Sequence, residues 1–272
     1  MSTAPIDIET LKARIRSTWI AGDFGIIGRT VEEANAQIVA RLDLKAGTEV
    51  LDVACGTGNS AIPAARRGAR VTGVDIAPNL LEQARARAKT GGVEARFEEG
   101  DAEQLAFPVA SFDIVISVFG AMFAPRPDLV ASELKRVCRR SGKIVMANWT
   151  PEGFAGEMFK LSAKHVPPPP GMTPPVQWGD ERIARERFHD GIADLKITRR
   201  VASLDFPFNE AETVEHYRKY FGPTLKSFEA LDPAGRVAFR QDLEALWKRC
   251  NRASDGTVRV ESEFLEIIAT RG

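Results

Sequence analysis

Cysteine, histidine and tyrosine are scarce in this chain of 272 residues, with three, three and two copies. Cys55, Cys138 and Cys250 are far apart and odd in number, which excludes a disulfide framework and a paired metal site. His165, His189 and His216 lack metal-ligand spacing, so no metal is expected. An excess of one charge is also missing: 37 Lys and Arg balance 37 Asp and Glu. A chain that draws its affinity from phosphates shows a basic surplus or a basic run, so nucleic acid is not an expected partner. No apolar run approaches the roughly eighteen residues of a membrane-spanning helix. Residues 1–8 carry neither the basic start nor the apolar stretch of a secretory signal, and a soluble cytoplasmic protein is expected. What is present is ordinary: 44% hydrophobic and 27% charged residues exclude intrinsic disorder, and the length suffices for a sizeable core without staples.

Residues 11–20 and 31–42 carry apolar positions at mixed three and four spacing, the pattern of amphipathic helices, with a glycine-rich turn at 22–28 between them. From Gly47 the texture changes to short β-branched runs separated by helical stretches, which points to βαβ units and a parallel sheet. Strands are expected at 49–53, 70–74, 95–98, 112–118 and 143–149, the last after a Ser141-Gly142 turn. Helices are expected at 60–67, 78–88 and 128–139. Beyond Trp149 the rhythm breaks: 154–165 reads as a helix, and the prolines from Pro167 to Pro175 exclude any regular element there. Helical spacing returns at 213–221 and 233–250, with long candidate strands at 195–206 and 258–269.

The chemistry-bearing segment is Glu49-Val50-Leu51-Asp52-Val53-Ala54-Cys55-Gly56-Thr57-Gly58-Asn59, an apolar strand that ends in a glycine turn and runs directly into a helix. Glycines at such a turn let a ligand approach the backbone at the carboxyl edge of the sheet. Two further acids follow the next two strands: Asp75 in Gly73-Val74-Asp75-Ile76 and Asp101 in Gly100-Asp101-Ala102-Glu103. Asp75 stands 23 positions after Asp52, near the distance at which an acid reaches ribose hydroxyls. Three acids at successive strand ends point to one edge of the sheet.

These pieces, with Ser111-Phe112-Asp113-Ile114-Val115 and Arg136-Val137-Cys138-Arg139-Arg140-Ser141-Gly142-Lys143, resemble the core of the class I S-adenosylmethionine-dependent methyltransferases, in the branch of the ubiquinone and menaquinone C-methyltransferases. The resemblance spans about a hundred residues, 49–149. It implies a doubly wound α/β fold of the Rossmann type: a seven-stranded, mostly parallel sheet whose last strand is antiparallel. The implied organisation is an N-terminal helical cover at 1–46, a cofactor-binding core at 47–150, and a lid plus the final antiparallel strands at 151–272, within one compact domain. By position, Asp52 and Ala54 to Gly58 (including Cys55 and Gly56) would meet the methionine part of S-adenosylmethionine. Asp75 with Ile76 would meet the ribose, and Asp101, Ala102 and Glu103 the adenine. Ser117 and Trp19 would complete the cofactor site. Ala54 departs from the glycine that commonly opens this turn.

A dinucleotide oxidoreductase is the alternative on this fold, since Ala61 can stand at the third glycine position of its fingerprint. The chain has no Tyr-x-x-x-Lys pair, however, and its only tyrosines are Tyr217 and Tyr220. A non-catalytic cofactor-binding protein is the other alternative. The segment after the fourth strand, Phe119-Gly120-Ala121-Met122-Phe123-Ala124-Pro125, lacks the Asn/Asp-Pro-Pro-Tyr/Phe motif of amino-methylating nucleic-acid enzymes. Phe119, Met122 and Phe123 suggest an apolar wall and a small, partly hydrophobic organic acceptor. Trp178 is a further candidate for that wall, and His165 is the one candidate general base, since histidine titrates near neutrality. The alignment of an acceptor with an excellent leaving group needs few catalytic side chains.

Overall fold

The run Glu49–Val53 forms a strand, β1, that is buried on both faces because helices cover the sheet above and below. The computed structural model describes residues 7–169 and 172–272. Residues 1–6, on which most of the reading of the N-terminus rests, and Pro170 of the proline tract lie outside the described residues. The order is α1 (Ile8–Ile20), α2 (Phe24–Gly28), α3 (Glu32–Ala40), β1, α4 (Ala61–Arg66), β2 (Arg70–Asp75), α5 (Pro78–Thr90), β3 (Arg96–Glu99), β4 (Phe112–Val118), α6 (Pro127–Val137) and β5 (Cys138–Trp149). Then follow α7 (Phe154–His165), α8 (Glu181–Arg187), β6 (Ile192–Phe206), α9 (Glu210–Tyr220), α10 (Gly222–Ala230), α11 (Pro233–Cys250) and β7 (Val258–Arg271).

The seven strands form one sheet in the order β3-β2-β1-β4-β5-β7-β6. β1 pairs in parallel with β2 (Val50 opposite Val71) and with β4 (Val50 opposite Ile114). β7 is antiparallel to both β5 and β6. This is a doubly wound α/β sheet, mostly parallel, with flanking helices. Its apolar strands sit between α4, α5 and α6, which bury Ile62, Leu81 and Leu134 among their inward faces.

Four local differences from the expected elements have physical causes. The glycine-rich stretch 22–28 is not wholly a turn, because Asp23 accepts the Gly25 N–H at 3.1 Å and starts the single turn of α2. The fifth strand begins five residues early, at Cys138, where a register shift places residues 139–142 against Asp113 and Ser141 takes φ 61°. The proline stretch does hold regular structure: Pro175 opens a 3-10 turn (Pro175–Gly179), and Asp180 caps α8 by accepting the Ile183 N–H at 3.1 Å. α10 follows α9 without a loop and was hidden by Gly222-Pro223. Glycine is required there, since a Cβ on Gly222 would stand 1.9 Å from the Thr18 carbonyl oxygen of α1.

Candidate active site

The strand order reverses between β1 and β4, so the segments leaving their carboxyl ends diverge and leave a crevice. A cleft of about 970 Å³, its open mouth included, lies there. Its floor is the turn after β1, where Ala54, Gly56 and Gly58 take φ of 55°, 53° and 82°. Asp75, at the end of β2, ties this turn down: its Oδ2 accepts the Gly56 N–H at 2.8 Å and its Oδ1 accepts the Ala77 N–H at 2.9 Å. Each oxygen keeps a lone pair for a ligand hydroxyl. After β3, the Asp101 Oδ1 accepts the Glu103 N–H at 2.8 Å. The positive φ at Ala54 costs a non-glycine residue about 1 kcal/mol. Ala54→Gly is therefore expected to stabilise the fold by up to about 1 kcal/mol, less the entropy of glycine, as read from urea unfolding.

Asp52 is a buried carboxyl left without a partner on one oxygen. It lines the cleft, and the unpartnered atom is its Oδ2. Burial, reinforced by the neighbouring Asp75, pushes its carboxyl up to about 8. Asp75 is also raised by burial, although backbone N–H groups of Ala77, Gly56 and Ile76 oppose the shift. Cys55 in the same turn is pushed well up by burial and by these two acids, so its thiol is no nucleophile at neutral pH.

The N-terminal helices close the cleft from above. Lys12 of α1 reaches Asp101 at 2.5 Å and Glu103 at 2.9 Å. Burial works against its charge, yet the two acids hold its pKa above the ordinary value. Arg16 donates to the Ile76 carbonyl at 3.1 Å and to Glu99 at 2.7 Å. On the other side, Asn59 donates to the Gly28 carbonyl at 2.8 Å and Ser60 to Asn35 at 2.7 Å, joining α2 and α3 to the glycine turn.

A second cavity of about 530 Å³, its mouth included, shares Trp19, Phe24, Val31, Phe119 and Phe123 with the cleft, so the two flank one wall. Phe119, at φ 54°, stacks flat on Trp149 with ring centroids 3.8 Å apart. Trp19 meets Phe123 edge-on at 4.9 Å and Phe24 at 5.4 Å. Nine of the fifteen lining residues are aromatic, and none among the described residues is charged.

Of the residues singled out in the sequence, Asp52, Ala54, Cys55, Gly56, Asp75, Ile76, Asp101, Ala102 and Trp19 line the cleft. Phe119 and Phe123 line both spaces. Others stand outside them. Gly58 faces Ile62 and Phe97 within the turn. Ser117 donates to the Val53 carbonyl at 2.8 Å and accepts the Ala121 N–H at 2.9 Å, which pins β4 to β1. Glu103 is held by Lys12 and by Arg126 at 2.7 Å. Met122 is buried in the core, and Trp178 packs on Phe188 with Arg187 over its ring at 4.5 Å. His165 pairs with Asp242 at 2.8 Å between α7 and α11 and lines neither space. The sequence reading missed Lys12, Phe24 and Asn35 in the cleft, and Phe154, Tyr217 and Phe221 in the cavity. The 12-15-19 spacing of Lys12, Ile15 and Trp19 on one helix face was the only signal that could have found any of them.

The order β3-β2-β1-β4-β5-β7-β6 with β7 antiparallel, with the crevice at the β1/β4 reversal and acids at three strand ends, is the class I methyltransferase fold. The likeness to solved structures agrees: a putative methyltransferase from Bacillus halodurans has the same fold, with a TM-score of 0.58 at 20% identity over 88% of this chain and 98% of that one. Residues 50–142 match the family described as methyltransferase domain. An uncharacterized protein of Mycobacterium tuberculosis is 38% identical over 231 residues, 84% of each chain. The demethylmenaquinone methyltransferase of Deinococcus radiodurans is 41% identical over 124 residues, 44% of this chain and 51% of that one. Residues 50–142 are therefore a methyltransferase domain, set in a chain of the class I methyltransferase fold. Its activity is methyl transfer with S-adenosylmethionine as cofactor, and the dinucleotide alternative is not favoured.

The site suits that cofactor on its own terms. The orphaned Asp52 Oδ2 is free to receive a cationic or hydrogen-bond-donating group of a ligand, and the side-chain-free Gly56 leaves the backbone open to it. Bound there, the cofactor supplies a methyl group on a sulfonium, a leaving group that needs no acid. Among the described residues no helix is long and apolar enough to cross a membrane, and no group of three or more His, Cys, Asp or Glu side chains could hold a metal ion.

Proposed function

We propose that this enzyme methylates a small, partly hydrophobic organic molecule held in the aromatic cavity, and that it acts in the cytoplasm, where its three free thiols suit a reducing compartment. The observation that carries the reading is the shared wall: Trp19, Phe24, Phe119 and Phe123 stand between an acid-bearing cleft and an uncharged aromatic cavity. In this reading Asp52 and the turn 54–56 face the methionine part, Asp75 the ribose hydroxyls, and Asp101 with Ala102 the adenine. Phe119 and Phe123 set the direction of approach. Most of the catalytic gain is alignment and exclusion of water, which an apolar cavity supplies without a dedicated acid or base. Residues 151–272 contribute Phe154, Phe159, Leu204, Tyr217 and Phe221 to the cavity and would select the acceptor.

Calorimetry with S-adenosylhomocysteine tests the placement. Wild type is expected to bind, and Asp75→Ala to bind about a hundredfold more weakly through the loss of charge-assisted bonds to two hydroxyls. Asp75→Asn, which retains one acceptor, should fall between the two. Undiminished binding by Asp75→Ala, with an unchanged thermal midpoint, would refute the assignment.

A further inference from the structure

The polar side-chain groups on the second cavity's wall are the hydroxyls of Thr30 and Tyr217 and the indole N–H groups of Trp19 and Trp149. None of these is a base. Thr30 already donates to the Ile27 carbonyl at 2.8 Å. The Tyr217 hydroxyl makes no hydrogen bond among the described residues, and burial alone drives its phenol well above the ordinary value. It therefore stays protonated and can only donate a hydrogen bond or accept one from a donor.

Titratable groups around this space are few. Lys12, Asp52, Cys55, Asp75 and Asp101 belong to the adjoining cleft and do not line the cavity. Of the elements packed on α9, α2 carries no charge, and the ionisable groups of α10 and α11 do not line the wall. On α9 itself, His216 packs against the rings of Phe206, Phe208 and Tyr220. No group on the wall can take a proton from the acceptor at the moment of attack.

We propose that the acceptor is an acidic aromatic compound, a thiophenol or a phenol of comparable acidity, which reacts as its own anion while Tyr217 donates a hydrogen bond to it. This rests on the reading of the chain as a methyltransferase whose acceptor occupies the aromatic cavity. The nine aromatic rings select a flat unsaturated body. The apolar wall favours a reaction that removes charge: an anion meets a sulfonium cation and two neutral products result, so the transition state needs less solvation than the reactants. The step balances. The acceptor's electron pair forms the new bond to the methyl carbon, the carbon–sulfur bond breaks with its pair kept on the leaving sulfur, and the proton has gone to solvent beforehand.

The experiment measures kcat/KM against pH for thiophenol, 4-nitrothiophenol, 4-methoxythiophenol and 4-nitrophenol, with aniline as a neutral acceptor of similar shape. Expected is a rising limb that moves with the acceptor, to lower pH for 4-nitrothiophenol and to higher pH for 4-methoxythiophenol, with aniline at least a hundredfold poorer. Any pH dependence of cofactor binding is common to all acceptors and cancels in the comparison. Tyr217→Phe is expected to lower kcat/KM for the anions about tenfold, through the lost charge-assisted bond, and to leave S-adenosylhomocysteine affinity unchanged because Tyr217 does not line the cleft. A limb fixed at one pH for every ring substituent would identify a base on the protein and overturn the proposal. So would preference for aniline, or binding of S-adenosylhomocysteine without turnover of any of these acids. Failure of S-adenosylhomocysteine to bind would instead remove the methyltransferase site itself.

Discussion

Binding of S-adenosylhomocysteine at pH 7 is expected to release close to one proton from wild type, and much less from Asp52→Asn. Asp52 is held near 8 by burial, so it is mostly protonated in the ligand-free cleft at pH 7. A cationic group brought against its unpartnered Oδ2 favours the carboxylate and expels that proton. Calorimetry in buffers of different ionisation enthalpy counts the protons directly. Affinity should rise with pH between about 6 and 8 in wild type and stay flat in Asp52→Asn, which should bind about tenfold more weakly at pH 8. The ligand-free fold should show the opposite slope. Its Asp52 keeps a proton that the unfolded chain loses near 3.8, so the contribution of this group is fully present below that value and is lost as pH rises through about 8. Between about pH 6 and 8, above the titration of the paired surface acids, thermal midpoints should fall in wild type and fall less in Asp52→Asn. Equal proton release by both proteins would contradict the placement of Asp52.

Gly120→Ala is expected to cost about 2–4 kcal/mol of stability and most of the cofactor affinity, as a clash that cannot relax. The added Cβ would stand 2.4 Å from the Ala54 carbonyl oxygen and 2.8 Å from the Ala54 Cβ. Both neighbours belong to the turn that floors the cleft, so relief must come from the backbone that meets the ligand. Gly92→Ala is the matched control: Gly92 has φ 63° with nothing within 4 Å of the added atom, and only the left-handed penalty of about 1 kcal/mol is expected. Urea unfolding and calorimetry on the two variants separate the clash from the conformational cost. Equal losses would mean that the two turns do not meet as described.

The parallel core was readable because each of its strands is a short apolar run that needs no help from distant residues. β1 and β4 fall on their expected bounds, as do α7 and α11. The acids at the strand ends were readable for the same reason, since a parallel sheet sends every strand's carboxyl end to one edge. What escaped depends on tertiary contact. α10 begins at a glycine whose absent side chain makes room for Thr18, which lies some two hundred positions earlier in the chain. Ser117 reads as a candidate ligand by position, yet its hydroxyl is engaged at 2.8 Å and 2.9 Å in joining β4 to its neighbours. Glu103 sits two positions from Asp101 in sequence, but its carboxylate is engaged by Lys12 and Arg126 and does not line the cleft. The aromatic cavity was the least legible part, because Trp19, Phe119, Phe154 and Tyr217 come from four separate stretches and only folding brings them together.

A structure of the complex with S-adenosylhomocysteine tests the account most directly. The product is expected in the cleft with its ribose on Asp75 and its sulfur facing the wall of Phe119 and Phe123, towards the aromatic cavity. A product bound elsewhere, or one whose sulfur points away from that cavity, would contradict it.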